Sequence, residues 1–221
     1  MRLRGIDFGS VWDASGIRNF DGRGWWFHNW LRPFGLRLTG ATFVAKTTTT
    51  FPRLGNMPLR SDGITPIEVK PKCIVVKMRE GVALNAVGLS GPGAKHILIQ
   101  KWWHQQTAPF FISWMAVTHT LVERELEAKR FVRYMRDYAY DIQTPFGLQL
   151  NISCPNTGHD VCFDTVSEVY RLMDILGMLN VPIVPKISVT TNVETATKIA
   201  EHPACDAISV SNTVPWGMLP D

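Results

Sequence analysis

Two carboxamides bracket a thiol in the stretch Asn151-Ile152-Ser153-Cys154-Pro155-Asn156-Thr157-Gly158. Each carboxamide offers an acceptor and two donors, and a thiol of pKa about 8.5 becomes a proton acceptor near neutrality once a cation lowers it. A planar polar ligand held by Asn151 and Asn156 would thus lie beside a base, Cys154. The apolar alternation Leu148, Leu150, Ile152 reads as a short strand that Pro155 and Gly158 end, so the three side chains fall where strand becomes loop. In a parallel α/β barrel that end of the strands carries the chemistry. The octet alone suits a plain turn equally well, with Asn and Pro as turn formers and Cys154 as a small buried hydrophobe.

The elements that must position this loop are legible in order. Short strands are expected at residues 11–15, 42–46, 110–117, 148–152, 181–187 and 207–210, rich in β-formers or continuously apolar. Between them, Trp26 and Trp30 at helical spacing predict a packed outer helix, and residues 94–103 predict another. Residues 121–142 place Ala128, Phe131, Val132, Met135, Ala139 and Ile142 on one helix face, with Glu123, Arg124, Glu127, Lys129 and Arg130 on a solvated one. Thr165-Val166-Ser167-Glu168 and Thr191-Asn192-Val193-Glu194 have capping-box form and open helices running to Gly177 and about residue 201.

Strand, loop and helix repeating with short connections predict an α/β fold, a parallel sheet rolled toward a (β/α)8 TIM-type barrel. Periodicity alone leaves a doubly wound open sheet as the alternative. The chain reads as one domain, residues 1–221, with a capping hairpin excursion at about 51–93, a stretch too long for one crossover. Six of the eight strands of such a barrel are counted before Asp221, so the expectation is a C-terminally incomplete barrel, a fragment or a chain completed by another polypeptide.

Bulk properties exclude several classes. A net charge of +4 without a basic stripe interleaved with aromatics argues against nucleic acid. Cys73, Cys154, Cys162 and Cys205 fit no zinc or iron–sulfur spacing, so no metal is expected and a reducing compartment is. The amino terminus has no apolar run of signal-peptide length and no eighteen apolar residues occur in succession, so no membrane span and a cytoplasmic location are expected.

The string Leu-Gln-Leu-Asn-Ile-Ser-Cys-Pro-Asn-Thr, residues 148–157, resembles the signature loop of the dihydroorotate dehydrogenase family, flavin enzymes on a (β/α)8 barrel. Further motifs agree in the family's order. Ala14-Ser15-Gly16 resembles its first strand end, and Val44-Ala45-Lys46-Thr47 with Phe51-Pro52-Arg53-Leu54-Gly55-Asn56 its second strand and following loop. Leu84-Asn85-Ala86-Val87-Gly88-Leu89 resembles its substrate segment, Pro182-Ile183-Val184-Pro185-Lys186-Ile187-Ser188 its lysine strand, and Ser211-Asn212-Thr213 the end of its sixth strand.

The resemblance implies oxidation of dihydroorotate to orotate in pyrimidine biosynthesis. Cys154, the residue of the soluble class, would be the base. Hydride would pass to non-covalently held FMN, since no side chain accepts a hydride. Ala14, Ser15, Gly16, Lys46, Thr47, Asn151 and Lys186 would face the flavin. Lys46, Asn85, Asn151, Asn156, Asn212 and Thr213 would face the substrate. A homo-oligomer or an electron-transfer partner subunit is compatible with the sequence. The alternatives are another dihydropyrimidine dehydrogenase of the uracil type, which Asn156 disfavours, and a flavin-free, non-catalytic fragment or subunit.

Overall fold

The computed structural model describes residues 1–77, 79–152 and 166–210. The chain opens on a hairpin too short to carry a sequence period: β1 (Arg2–Leu3) pairs antiparallel with β2 (Ile6–Asp7), turning through Arg4 and Gly5 at positive φ. Leu3 and Phe8 from this hairpin region join Val44, Phe111 and Val184 in a core cluster of their own. Phe8 and Trp12 both lie against the Phe111 ring, with centroids 4.3 and 4.4 Å away.

The first two expected strands are present as bridged segments rather than continuous ladders. Trp12 bridges Thr42 in parallel, and Val44 and Thr48 bridge Phe111 and Trp114. Gly9 and Gly16, both at positive φ, bracket the first segment and keep it short. The helix expected around Trp26 and Trp30, α1 (Trp26–Leu31), buries none of its residues. Pro33 and Gly35 follow within four residues, so too few turns form to present an apolar stripe; Trp26 instead packs edge-on against Trp30, which is 73% exposed.

Residues 51–93 carry the antiparallel hairpin β3 (Ile74–Lys77) and β4 (Val82–Asn85). α2 (Ala94–Ile99) ends short of residue 103, where Lys101 takes a φ of 55°. Then come β5 (Phe110–Trp114), α3 (Leu121–Tyr138), β6 (Phe146–Asn151), α4 (Val166–Gly177), β7 (Ile183–Ile187), α5 (Val193–Glu201) and β8 (Ser209–Val210). Asn192, rather than Thr191, is the N-cap of α5, its side-chain oxygen accepting the Thr195 N–H at 2.7 Å. The capping pattern in the sequence is thus realised one residue later, on a residue type at least as good for the position.

β5, β6, β7 and β8 pair in parallel and in chain order, and the bridges carry the same order back through Thr42 to Trp12. A doubly wound sheet reverses its order midway, so this sequence of neighbours belongs to a barrel wall. Alternation sorts the side chains. Phe110, Ile112, Leu148, Leu150, Ile183 and Ile187 join the core cluster that contains the buried faces of α3, α4 and α5. The opposite parity places Phe111, Ser113, Gln149, Asn151, Val184 and Lys186 on the other, inner face. Gly147 makes room there: a Cβ would lie 2.5 Å from the Phe111 ring.

The charged face of α3 is not all solvated. Arg124 and Glu127 are buried, because each has a specific partner on a neighbouring segment. Arg124 meets Glu168 of α4 through two contacts, Nε to Oε1 at 2.5 Å and Nη2 to Oε2 at 3.0 Å. Glu127 accepts the Val117 N–H at 2.9 Å and the Thr118 hydroxyl at 3.3 Å, while its Oε1 has no hydrogen-bond partner. Burial pushes the Glu127 carboxyl above its usual range against those hydrogen bonds. The folded chain therefore keeps this proton to higher pH than the unfolded one, and stability falls as pH rises from the unfolded value through the folded value. Glu127→Gln is expected to raise the melting temperature at neutral pH, with the advantage fading below about pH 4, where both forms are neutral. An advantage constant across pH would refute burial of the charge as its cause.

Candidate active site at the carboxyl ends of the parallel strands

Polar side chains replace apolar ones on the inner face as the strands reach their carboxyl ends. Thr47, Ser113 and Asn151, each at most 5% exposed, converge there from three successive strands. Thr47 Oγ1 is the hub. It lies 2.8 Å from Ser113 Oγ and 3.0 Å from Ser15 Oγ, and it accepts the Asn151 Nδ2–H at 3.2 Å. Ser15 in turn donates to the Ala45 carbonyl at 2.9 Å. The proton count closes in one direction: Ser113 donates to Thr47, Thr47 to Ser15, and Ser15 to the backbone. This holds the Asn151 carboxamide against a hydrogen-bonded support.

Lys46 is 8% exposed beside this row. Its ammonium donates to the Ser90 carbonyl and stands 4.5 Å from the centre of the Phe20 ring, and its backbone N–H donates to the Asn19 carbonyl at 2.9 Å. Gly16 has a φ of +98°, and a Cβ there would approach the Lys46 side chain at 3.8 Å. The Trp25 indole N–H donates to the Gly16 carbonyl at 2.8 Å and pins the turn. Lys186 is half-buried and pairs in register with Asn151 across β6 and β7.

The structure therefore brings together Ser15, Gly16, Lys46, Thr47, Asn151 and Lys186 of the expected site. Ala14 is exposed next to Ser15. Asn85 is exposed at the end of β4, with its side-chain oxygen accepting the Val87 N–H at 3.2 Å, the turn-forming use of an asparagine beside glycine. Cys154, Asn156, Asn212 and Thr213 lie outside the described residues.

Ser113, Ser90 and Phe20 were not singled out from the sequence. A signal existed for Ser113 alone: it is the single hydroxyl in the apolar run of residues 110–116. Two thiols are described. Burial raises Cys73, with Glu68 adding to the rise and Lys46 opposing it. Cys205 is pushed up to about 11 by burial and by Asp206. Neither is poised to ionise near neutrality.

A planar group carrying both donors and an anionic edge fits these residues: hydroxyls and carboxamide supply matching polar partners, and Lys46 and Lys186 supply positive charge. Gln149, one inward position below Asn151, is buried, and its side-chain oxygen has no hydrogen-bond partner among the protein atoms. Among the described residues no three His, Cys, Asp or Glu gather to hold a metal ion, and no helix is long and apolar enough to cross a membrane.

The chain is similar to dihydroorotate dehydrogenases of several organisms. The chain is 29% identical over 188 residues to the catalytic subunit of dihydroorotate dehydrogenase B (NAD(+)) of Anoxybacillus flavithermus, covering 82% of this chain and 52% of that one. It is 29% identical over 194 residues to dihydroorotate dehydrogenase A (fumarate) of Lacticaseibacillus paracasei, covering 82% and 56%. It is 28% identical over 168 residues to a putative dihydroorotate dehydrogenase A (fumarate) of Solibacter usitatus, covering 73% and 51%. The chain thus spans about half the length of the curated relatives it matches. Residues 35–220, from the second strand onward through the carboxyl-end residues just described, match the family described as dihydroorotate dehydrogenase, and the chain belongs to that family.

Proposed function

We propose that this chain binds FMN and dihydroorotate at the strand ends and takes part in oxidising dihydroorotate to orotate. The observation that carries the reading is the row of half-buried Ser15 and buried Thr47, Ser113 and Asn151 set beside Lys46 at the ends of consecutive parallel strands. The hydroxyls satisfy one another and fix the Asn151 carboxamide, so the strand ends present a preset polar edge beside a cation. When bound, the flavin supplies a two-electron acceptor.

The chain's own residues do the rest. Lys46 and Lys186 counter negative charge on the substrate carboxylate and on the flavin ring, each held by its strand end. Asn151, propped by Thr47, presents its carboxamide to the polar edge of the substrate, and Asn156 and Asn212 extend that recognition. Cys154 takes the proton from the carbon next to the carbonyl. Neither Cys73 nor Cys205 is suited to that task, since burial holds both thiols above their usual range. Asn156 supports orotate over a uracil-type substrate.

The test is direct. The purified protein is titrated with FMN, and dihydroorotate is then added without oxygen. Uptake of FMN, with flavin absorbance near 450 nm bleached by dihydroorotate and not by dihydrouracil, is the expected result. Protein that stays colourless with added FMN would favour a flavin-free, non-catalytic role, and bleaching by dihydrouracil would move the substrate to the uracil type.

A further inference from the structure

The Lys46 ammonium sits in a cradle built partly by the loop after the first strand segment. The Lys46 backbone N–H donates to the Asn19 carbonyl, which brings the next residue, Phe20, beside it. Phe20 is fully buried, and the Lys46 nitrogen lies over its ring, 4.5 Å from the centre. The loop is pinned around that ring. Asn19, at a φ of 60°, accepts the Phe20 N–H at 2.9 Å with its side-chain oxygen and donates to the Ile64 carbonyl at 3.2 Å, while the Phe20 carbonyl accepts the Trp103 indole N–H at 3.2 Å. Gly91 makes room for the ring, since a Cβ there would lie 2.7 Å from its edge, and the preceding Ser90 supplies the carbonyl that accepts from the same ammonium. Space for the ring and an acceptor for the cation thus come from two adjacent residues. A leucine would serve a purely apolar position, but only an aromatic face attracts a cation through its quadrupole. A ring and a carbonyl hold an ammonium without neutralising it, whereas a carboxylate would cancel its charge.

We propose that Phe20 is a positioning residue for Lys46, its ring and the Ser90 carbonyl together presetting the ammonium for the carboxylate of the substrate. The inference rests on the reading of Lys46 given above and goes beyond it by assigning part of the substrate affinity to a ring that acts through the lysine, by sparing the side chain the ordering that binding would otherwise demand.

Phe20 is replaced by 4-fluoro-, 3,5-difluoro- and 3,4,5-trifluorophenylalanine, which weaken the quadrupole stepwise at nearly constant shape, and by leucine. Orotate is titrated into each FMN-loaded protein. Affinity is expected to fall with each fluorine, reaching a loss of about tenfold for the trifluoro ring and for Phe20→Leu. The half-saturating concentration of dihydroorotate should rise in parallel, with the limiting rate of flavin reduction changed by no more than about twofold. In a Lys46→Met background the series should be flat, the coupling expected of two groups in contact. An affinity that ignores the number of fluorines, or that falls equally without Lys46, overturns the assignment and leaves Phe20 as core packing. The fluorinated proteins decide the matter even where Phe20→Leu does not fold. The contact itself is read without ligand: in flavin-free protein labelled with 13C-lysine, the Lys46 ε-methylene protons are expected at high field, displaced by the ring current, and ordinary shifts there refute the cradle. Wild type that takes up no FMN overturns the flavin reading and this role with it, an outcome distinct from a flat fluorine series in protein that binds both ligands.

Discussion

Cys154→Ala is expected to slow anaerobic reduction of the bound flavin by dihydroorotate by about 10²- to 10⁴-fold, the span typical of losing a positioned general base. FMN affinity should stay nearly constant, because the proposed flavin contacts come from other residues, Ser15, Lys46, Thr47 and Asn151 among them. No described thiol substitutes for it: Cys73 is held up by burial and Cys205 is pushed up to about 11. Hydroxyls offer no replacement either, since those of Ser15, Thr47 and Ser113 are committed to one another and to the Ala45 carbonyl. Stopped-flow absorbance in a single turnover reads the step directly. A variant that reduces its flavin at the wild-type rate would remove Cys154 from the base role.

The largest expected loss of stability falls elsewhere, on Arg124. This guanidinium meets Glu168 at 2.5 and 3.0 Å, and its remaining terminal nitrogen donates to the Thr118 and His119 carbonyls at 2.9 and 2.8 Å. It thus ties the start of α3 to α4 and to the loop that follows β5. Both side chains are 7% exposed, so removing one partner leaves a charge in a poorly solvated place. Arg124→Ala is expected to cost about 3–5 kcal/mol, read as a lowered urea midpoint at unchanged slope. The double change Arg124→Met with Glu168→Leu should recover most of that loss, since an apolar pair pays no desolvation of charge. A single variant within about 1 kcal/mol of wild type would mean that the pair is effectively solvated.

Several of the residues that matter were hidden from the sequence for a common reason. Arg124 and Glu127 sit on the polar side of a well-formed amphipathic period, and period alone assigns that side to water. Their burial depends on Glu168 and on the backbone at Val117, which come near only when α3 packs against the sheet and α4. The tryptophans of α1 err in the opposite direction. Their helical spacing suggests packing, yet packing needs a partner surface, and no residue of that helix is buried.

Strand and helix positions from residue 110 to residue 210 were determined by the sequence itself, because period two, period 3.6 and capping residues are local properties that survive without tertiary context. The same holds for Lys46, Thr47, Asn151 and Lys186 as strand-end residues, since a strand's end is marked by its own turn formers. Which groups meet depends on the assembled fold. Thr47, Ser113 and Asn151 come from three separate strands, and parallel register alone brings their polar atoms within 3.2 Å or less of the Thr47 hydroxyl. The unpaired oxygen of Gln149 is a property of the same kind, invisible until the inner face of the wall has been assembled around it.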